Sequence, residues 1–515
     1  MRLLTVLLFS CFLSASAYAS RIVIPMDSMG QENHLKAYGV AYAALQDGIK
    51  VDWLLNYKCG SFGMKYDEDV AFKCKMRGVS YIKMTEKQYA TIIKQLSDPN
   101  YNGAVVKLLK APKMAVYTPT SKEPWDDAVT LALTYAEIPF DKIYVDEVLA
   151  GDLDNYDWLH LHHEDFTGQY GKFWAQFHNA EWYKQDKKTA EELAAKHGYK
   201  KVSQMQLAVA KKIKHFVGGG GNLFAMCSAT ETLDIALAAE GVDICDTPFD
   251  GDPMDANAQS KLDFTKCLAF KDFRISANLH EPAHSNIDNT MTRGVPQESD
   301  YFELLSFPAK LDPVPAMLCQ NHTMSVKGFM GQTTAFRDEV LKPGVLVMGE
   351  NKSAHEARYI HGEYEQGTWT FYGGHDPEAY RHLVNDPPTD LSHHPNSPGY
   401  RLILNNVLCR AAKRKVVQTV VCCDSIAKAE NKNSENDNIA PAVNPVKISP
   451  DPSSNALIIT SSNKIENISI FNTKGVEVFK KLYNATKVSI DIDELEPGPY
   501  LIKVNGAYAG KVVKN

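Results

Sequence analysis

The sequence predicts an α/β protein: a doubly wound, mostly parallel sheet with insertions, followed by a small all-β sandwich. Three observations predict it. Up to Gly241, short apolar runs of strand length alternate with helix-like stretches. Alternation of this kind calls for strands joined by helical crossovers, with helices on both faces of the sheet. A polar, Asn-rich stretch, Ala427 to Asn444, then breaks the pattern. Beyond it, short runs alternate apolar and polar residues between turn signals, as half-buried strands do.

The elements follow in order. Arg21 to Pro25 reads as a strand, His34 to Gln46 as a helix, and Lys50 to Leu55 as a second strand. Together they predict a βαβ unit with a right-handed crossover in a parallel sheet. Lys113 to Tyr117, Asp141 to Val148 and Asp157 to His162 are strand-like, and Trp125 to Tyr135 is helical. Lys187 to His197 and Val202 to Phe216 read as helices. Residues 246–340 hold many Asp, Asn, Pro and Gly and few periods, and read as an elaborate insertion. Val345 to Met348, Ala357 to Tyr364 and Thr368 to Tyr372 are strand-like again, and Tyr400 to Ala412 reads as a closing helix. The domain boundaries expected are therefore 1–19, 20–423, 424–445 and 446–515.

The first of these is a signal peptide. Arg2 supplies a positive start, Leu3 to Leu13 an apolar run too short to span a bilayer, and Ala17-Tyr18-Ala19 a cleavage site. No later run is long and uncharged enough for a transmembrane helix. The formal charge is -7 over 515 residues, the charges are mixed and no long basic run occurs, which argues against a nucleic-acid partner. Of ten cysteines, Cys11 leaves with the signal. The odd number remaining requires a free thiol or an intermolecular bridge outside the cytoplasm. Cys59 and Cys74 are close enough in sequence to pair.

The tail carries Ser449-Pro450-Asp451-Pro452, then Ile470-Phe471-Asn472-Thr473-Lys474-Gly475, then Leu495-Glu496-Pro497-Gly498-Pro499-Tyr500, and ends in Lys511-Val512-Val513-Lys514. In this order the marks resemble the type A sorting domain of proteins exported by the type IX secretion system of Bacteroidetes. The resemblance implies export through the periplasm, contact of residues 446–515 with that machinery, and release or attachment at the cell surface. A carbohydrate-binding sandwich is the alternative, with few aromatics to stack on sugars.

Gly218 to Gly221 lead into an apolar strand, Asn222 to Met226, that stops at Cys227. Helix formers follow from Ser228 to Ala239. A thiol on such a joint faces a helix N-terminus, which favours thiolate. The amide of Ser228 can face an oxyanion. The strand Thr368 to Tyr372 ends at Gly373-Gly374, which places His375 at a sheet edge as a base, with Asp376 or Glu378 to orient it. Alternatively, Cys227 is an inert core thiol or half of a disulfide.

With Cys on a strand–helix elbow and His-Asp-Pro-Glu after a late strand, residues 21–412 resemble the class I glutamine amidotransferase-like superfamily. The Gly-His-Asp element is also similar to its ThuA-like branch. The resemblance implies a flavodoxin-like sheet, Cys227 as nucleophile, His375 as base and no metal or cofactor. Two departures stand out. The usual Gly-x-Cys-x-Gly is here Ala225-Met226-Cys227-Ser228-Ala229, and Glu378 lies one residue further from the histidine than in the family.

The loop Leu161 to Gly168, which contains His162, His163, Glu164 and Asp165, should share that sheet edge. It is expected to bring His163, Glu164 and the amide of Gly168 to the substrate, or else to hold a metal. His280-Glu281-Pro282-Ala283-His284 matches H-E-x-x-H, but Pro282 argues against the helix that zinc chemistry needs. His393 to Gly399 reads as a structural turn. An asparagine-synthetase mechanism lacks its N-terminal cysteine and its Ser-Gly-Gly-x-Asp-Ser loop. The expected function is a secreted, cysteine-dependent amidase acting on a carboxamide or related carbonyl of a small molecule or peptide. The alternatives are a non-catalytic carbohydrate- or peptide-binding protein and a metal-dependent hydrolase.

Overall fold

Successive side chains of a strand point to opposite faces, so a sheet buried on both faces needs apolar residues at every position. Met-Ala-Val-Tyr at Met114–Tyr117 and Asn-Leu-Phe-Ala-Met at Asn222–Met226 have that character. In the computed structural model both lie in the middle of the main sheet. The structure describes residues 20–119, 127–306, 309, 317–318, 323–382, 386–409 and 411 of the main part. In the tail it describes 447–450, 456–472, 477–495, 498–505 and 507–514. The signal peptide, the 424–445 linker, Cys319, Cys422 and Cys423 lie outside the described residues.

The first five strands are β1 (Arg21–Ile24), β2 (Val51–Leu55), β3 (Ser61–Lys65), β4 (Ile82–Met84) and β5 (Ala104–Leu108). They form a separate antiparallel sheet in the order β4-β1-β3-β2-β5. The expected parallel pairing of the first two strands is thereby corrected, because β3 lies between them. The chain reverses after β2 through Asn56, Lys58, Cys59 and Gly60, all at positive φ, and Ser61–Lys65 pairs back as a hairpin. Cys74 is a free, buried thiol, so the bridge expected between it and Cys59 is not formed.

The main sheet comprises β6 (Met114–Tyr117), β7 (Asp141–Ile143), β8 (Trp158–Leu161), β9 (Asn222–Met226), β10 (Tyr301–Leu304), β11 (Ser325–Lys327), β12 (Phe336–Arg337), β13 (Leu346–Asn351), β14 (Glu356–Tyr364) and β15 (Gly367–Tyr372). Strands β7, β6, β8, β9 and β15 lie side by side in that order and run parallel. Counted in sequence, the order is 2-1-3-4-5, with a switch point between β6 and β8. The remaining strands add antiparallel, so the sheet is mixed rather than mostly parallel. The reason is connection length. Between β13, β14 and β15 the chain is too short for the dozen or more residues a parallel crossover needs.

The helices up to residue 238 are α1 (His34–Gln46), α2 (Glu68–Met76), α3 (Glu86–Ser97), α4 (Ala128–Ala136), α5 (Val145–Ala150), α6 (Trp174–Phe177), α7 (Glu181–Lys196), α8 (Val202–Gly218) and α9 (Ala229–Ala238); two short helices follow at Thr247–Asp250 and Ala258–Lys261, and a closing helix at Pro398–Leu408. The expected strand over Asp141 to Val148 stops at Ile143 and continues as α5. There the Glu147 carboxylate accepts the Tyr144 amide at 2.8 Å, and Gly151 at φ 97° closes the helix. Local capping overrides the β-branched valines at 145 and 148.

Two cores flank the main sheet. Met114, Val116, Trp158, Phe224, Met226 and Tyr372 face α1, α4 and the closing helix. Ala115, Tyr117, Leu159, Leu161, Leu223, Ala225, Trp369 and Phe371 face α8, α9 and the 246–340 insertion. Each large side chain buried here contributes about 1.5–3 kcal/mol. The tail is five antiparallel strands: β16 (Lys447–Pro450), β17 (Ala456–Asn472), β18 (Glu477–Asp491), β19 (Gly498–Val504) and β20 (Ala507–Lys514). They form one hydrogen-bonded sheet where two were expected. The long β17 pairs with β16 through its first half and with β19 through its second, and its register shifts between Thr460 and Ile465. Its core, Leu457, Ile459, Ile468, Ile470, Ile490 and Ile502, is its own.

Candidate active site

The carboxyl ends of β8, β9 and β15 deliver three side chains to one point: His162, Cys227 and His375. Parallel register makes this so, because Leu161 is opposite Ala225 and Met226 is opposite Tyr372. A ring nitrogen of His162, a ring nitrogen of His375 and Sγ of Cys227 all lie within 4.8 Å of one another.

Cys227 is the joint between β9 and α9. It has φ 51°, a left-handed conformation that a non-glycine residue holds only when its surroundings enforce it, at a cost of about 1–3 kcal/mol. The enforcing contacts are on both sides. The Cys227 amide donates to the Gly374 carbonyl at 3.1 Å, and the Ala229 amide donates to the His162 carbonyl at 3.0 Å. The side chain is 2% exposed. Burial pushes its thiol up to about 11, opposed by the backbone amides of Gln332, Ser228 and Thr333, which pull it back down.

Gln332 and Thr333 belong to the 246–340 insertion, whose loop 329–334 crosses the thiol. His375 donates its amide to Met330 at 3.0 Å, and Gly374 donates its amide to Thr333 at 2.8 Å. Two glycines allow this approach. A Cβ at Gly331 would lie 2.8 Å from the His375 nitrogen, and Gly374 has φ 101° with the Phe329 ring against it.

Behind the thiol runs a buried chain of polar groups. Nδ1 of His375 and Nε2 of His162 are 2.9 Å apart. Nδ1 of His162 lies 3.2 Å from the Asp127 carboxylate, an ion-pair distance without the direction of a good hydrogen bond. The other imidazole on Asp127 is His160, with Nε2 at 2.9 Å and Nδ1 donating to the Phe224 carbonyl at 3.1 Å. Asp127 also caps α4, accepting the amides of Val129 and Thr130. Against the pull of burial, the His160 and His162 imidazoles hold the Asp127 carboxyl well below the usual range. An ionised Asp127 directs a proton onto His162 Nδ1, leaving Nε2 to accept from His375 Nδ1. Nε2 of His375 then carries a lone pair, and it is buried with no hydrogen-bond partner among the described residues. Burial first, then the neighbouring His162, His163 and His382, push the His375 imidazole well below its usual pKa, toward the neutral ring.

The other expected site residues divide. The amide of Ser228 lowers the Cys227 thiol pKa, while its hydroxyl makes no cap. His163 is exposed at the rim, its ring 6.4 Å from that of His375. The carboxylate of Glu164 turns back onto the His162 amide at 2.8 Å, and burial raises it to about 7. Two expectations are corrected. Asp376 does not orient His375; it accepts the amides of Glu378 and Ala379 in its own turn. Glu378 pairs with His394 at 3.1 Å instead. Gly168 is packed on the backbone of Ser203 at the start of α8, with φ 83°. Nδ1 of His375 meets His162 at 2.9 Å rather than a carboxylate. The extra residue in His-Asp-Pro-Glu lets Asp376 close a tight turn that carries Glu378 toward His394.

The side chains of the His162–Asp165 loop do not meet at one point, because Asp165 turns away to His284 at 3.3 Å. His284 lies between Asp165 and Glu231, while His280 is exposed, so the H-E-x-x-H residues separate. The partners that sequence reasoning missed are Asp127, the relay role of His162, and the amides of Gln332 and Thr333. Asp127 had a signal, an acidic residue opening a helix; the amides had none.

The geometry is that of an α/β protein with a buried thiol–imidazole site at the carboxyl edge of its parallel strands. Residues 447–515 match the model of the secretion system C-terminal sorting domain. That tail is a type IX sorting domain, and it directs the chain through the type IX machinery to a secreted or cell-surface location. Among the described residues no helix is long and apolar enough to cross a membrane. No curated protein matches the chain. Among solved structures, a cytoplasmic protein from Salmonella typhimurium is similar at 11% identity and a TM-score of 0.28, over 57% of this chain and 97% of its own. A second cytoplasmic protein, from Salmonella typhimurium LT2, gives 10% and 0.26 over 57% and 99%. A beta-galactosidase from Bacillus circulans sp. alkalophilus gives 9% and 0.24 over 75% of this chain and 40% of its own. Likenesses this slight carry no argument, and the amidotransferase-like resemblance finds no support among them.

Proposed function

We propose that this secreted protein is a cysteine-dependent amide hydrolase on a doubly wound, amidotransferase-like α/β scaffold. The observation that carries the reading is the strained Cys227, φ 51°, within 4.8 Å of ring nitrogens of His162 and His375. Strain of this kind is maintained where function uses the side chain it presents. His375 Nε2 takes the thiol proton as Sγ attacks the carbonyl carbon of a carboxamide. The C–N bond then breaks, and the proton passes from His375 to the leaving amine. Water, deprotonated by the same nitrogen, attacks the thioester and releases the carboxylic acid. Asp127 and His162 hold the His375 ring and its tautomer. The converging amides of Ser228, Gln332 and Thr333 supply donors for negative charge on sulfur or on the carbonyl oxygen. A thiol 2% exposed admits only a small or narrow acyl group.

Iodoacetamide is itself a small carboxamide and tests the reading. In the native reduced chain Cys227 should alkylate well ahead of the buried thiols Cys74, Cys245 and Cys267, as read by peptide mass spectrometry. His375→Ala should slow that reaction by about 10²-fold. A Cys227 that reacts only after unfolding, or whose rate ignores His375, would falsify the mechanism. Ammonia release from a panel of small carboxamides, lost in Cys227→Ser, then identifies the substrate.

A further inference from the structure

The same three side chains have a second chemistry. Cys227 offers a sulfur, and His162 and His375 each offer an imidazole nitrogen, with ligand atoms within 4.8 Å of one another. Tetrahedral zinc, with Zn–N of about 2.0–2.1 Å and Zn–S of about 2.3 Å, needs N···N near roughly 3.3 Å and N···S near roughly 3.6 Å. The facing nitrogens of His162 and His375, at 2.9 Å, need only a small widening. Elements that cannot slide independently hold the ligands: His162 follows β8, Cys227 ends β9 and His375 follows β15.

A further feature is that of a metal centre. The Asp127 carboxylate backs the far nitrogen of His162 at 3.2 Å, the carboxylate–histidine arrangement that fixes a ligand's tautomer. On His375, Nδ1 already faces Nε2 of His162, so both rings present a nitrogen to the same point without turning. One soft sulfur with two imidazoles suits zinc and cobalt(II) and disfavours magnesium and calcium. Three protein ligands leave a fourth position open.

We infer that Cys227, His162 and His375 form a three-ligand site for a borderline-soft divalent cation, zinc above all, whose occupancy takes the thiol out of nucleophilic chemistry. Binding forms one metal–sulfur and two metal–nitrogen bonds and releases the Cys227 thiol proton to water. When His375 binds through Nδ1, the proton shared with His162 moves to His375 Nε2, so one proton leaves per ion. No redox change is involved. The inference does not rest on the hydrolase reading, since a thiol can ligate without being a catalyst.

The test is cobalt(II) added to the reduced full chain under anaerobic conditions. The expected result is one equivalent bound, with a thiolate-to-cobalt charge-transfer band in the near ultraviolet and the intense visible bands of a tetrahedral ion. Cys227→Ser should abolish the near-ultraviolet band, and Asp127→Asn should weaken binding by about 10–100-fold. His215→Gln, at an exposed position outside the site, should change neither. Circular dichroism of each variant separates lost ligation from lost fold. Zinc should also protect Cys227 of the unmutated chain from iodoacetamide, a measurement that needs no variant. No thiolate band in the unmutated chain, or a band that persists in Cys227→Ser, overturns the inference. Alkylation without metal judges the hydrolase reading, so either proposal can fail alone.

Discussion

At the residue scale, the Asp165–His284–Glu231 cluster shows how a sequence motif can be misleading. His284 is 2% exposed, with Nε2 3.3 Å from Asp165 and Nδ1 3.8 Å from Glu231. Burial alone would lower its pKa, but Asp165 and then Glu231 raise it to about 9. Asp165 is held at about 2; burial works against that, and His284 outweighs it. For His284 the folded value is the higher one. Its contribution is complete below about 6.5, and is lost as pH rises through about 9. For Asp165 the folded value is the lower one, so stabilisation present above 3.8 is lost as pH falls through about 2. In urea titrations, the stability difference between the native chain and His284→Gln should be roughly 3 kcal/mol near pH 6. It should shrink steadily toward pH 9.5; a difference flat across that range would refute the ion pair. Asp127→Asn makes a second prediction at this scale. Asparagine keeps an acceptor for the α4 cap, so the fold should persist, while the charge that fixes His162 disappears. Cys227 alkylation should therefore slow about tenfold or more, with little change in circular dichroism.

At the element scale, the insertion of residues 246–340 is the part that completes the site. Its loop 329–334 is tied to the end of β15 through the His375 and Gly374 amides. Gly374→Ala would force φ 101° on a residue with a Cβ and drive that Cβ to 2.4 Å from the Phe329 ring. A loss of about 1–3 kcal/mol is expected in denaturant unfolding, together with slower Cys227 alkylation. Gly331→Ala meets backbone of residues 374 and 375 rather than a movable side chain. It should disturb the site more than the global stability, so alkylation should fall with a smaller shift in midpoint. Equal losses of stability with normal reactivity would show that the loop is only packing.

At the scale of the whole molecule, the tail has a hydrophobic core separate from those of the main sheet. Deleting residues 447–515 should therefore leave the remaining domain folded. Because those residues form the sorting domain, the deletion should also strand the protein in the periplasm. Cell fractionation with an antibody to the main domain checks this. Full export of the truncated chain would show that the tail is dispensable for secretion.

Several features were legible in the sequence because they depend on local pattern. Asn222–Met226 followed by Cys227 and a helix is one: an apolar run, a thiol and helix formers are contiguous. The export signals are another, because machinery that reads linear marks leaves linear marks. The placement of His375 beyond β15 followed from Gly373-Gly374 ending the strand. Long-range partners were not legible. Asp127 and His162 are 35 residues apart in the chain and meet only because β6 and β8 are neighbours in the sheet. The amides of Gln332 and Thr333 carry no side-chain signature, and any residue type could have supplied them. Strand direction beyond β15 depended on loop length, and the β3 hairpin on a run of left-handed residues, Asn56, Lys58, Cys59 and Gly60. Sequence alone determined the periodicity, the strand–helix joint and the destination of the chain, because those are set within a few consecutive residues. Tertiary structure alone decided which imidazole faces the thiol, which carboxylate stands behind it and which loop crosses it, because those contacts arise only when distant segments are packed against one sheet edge.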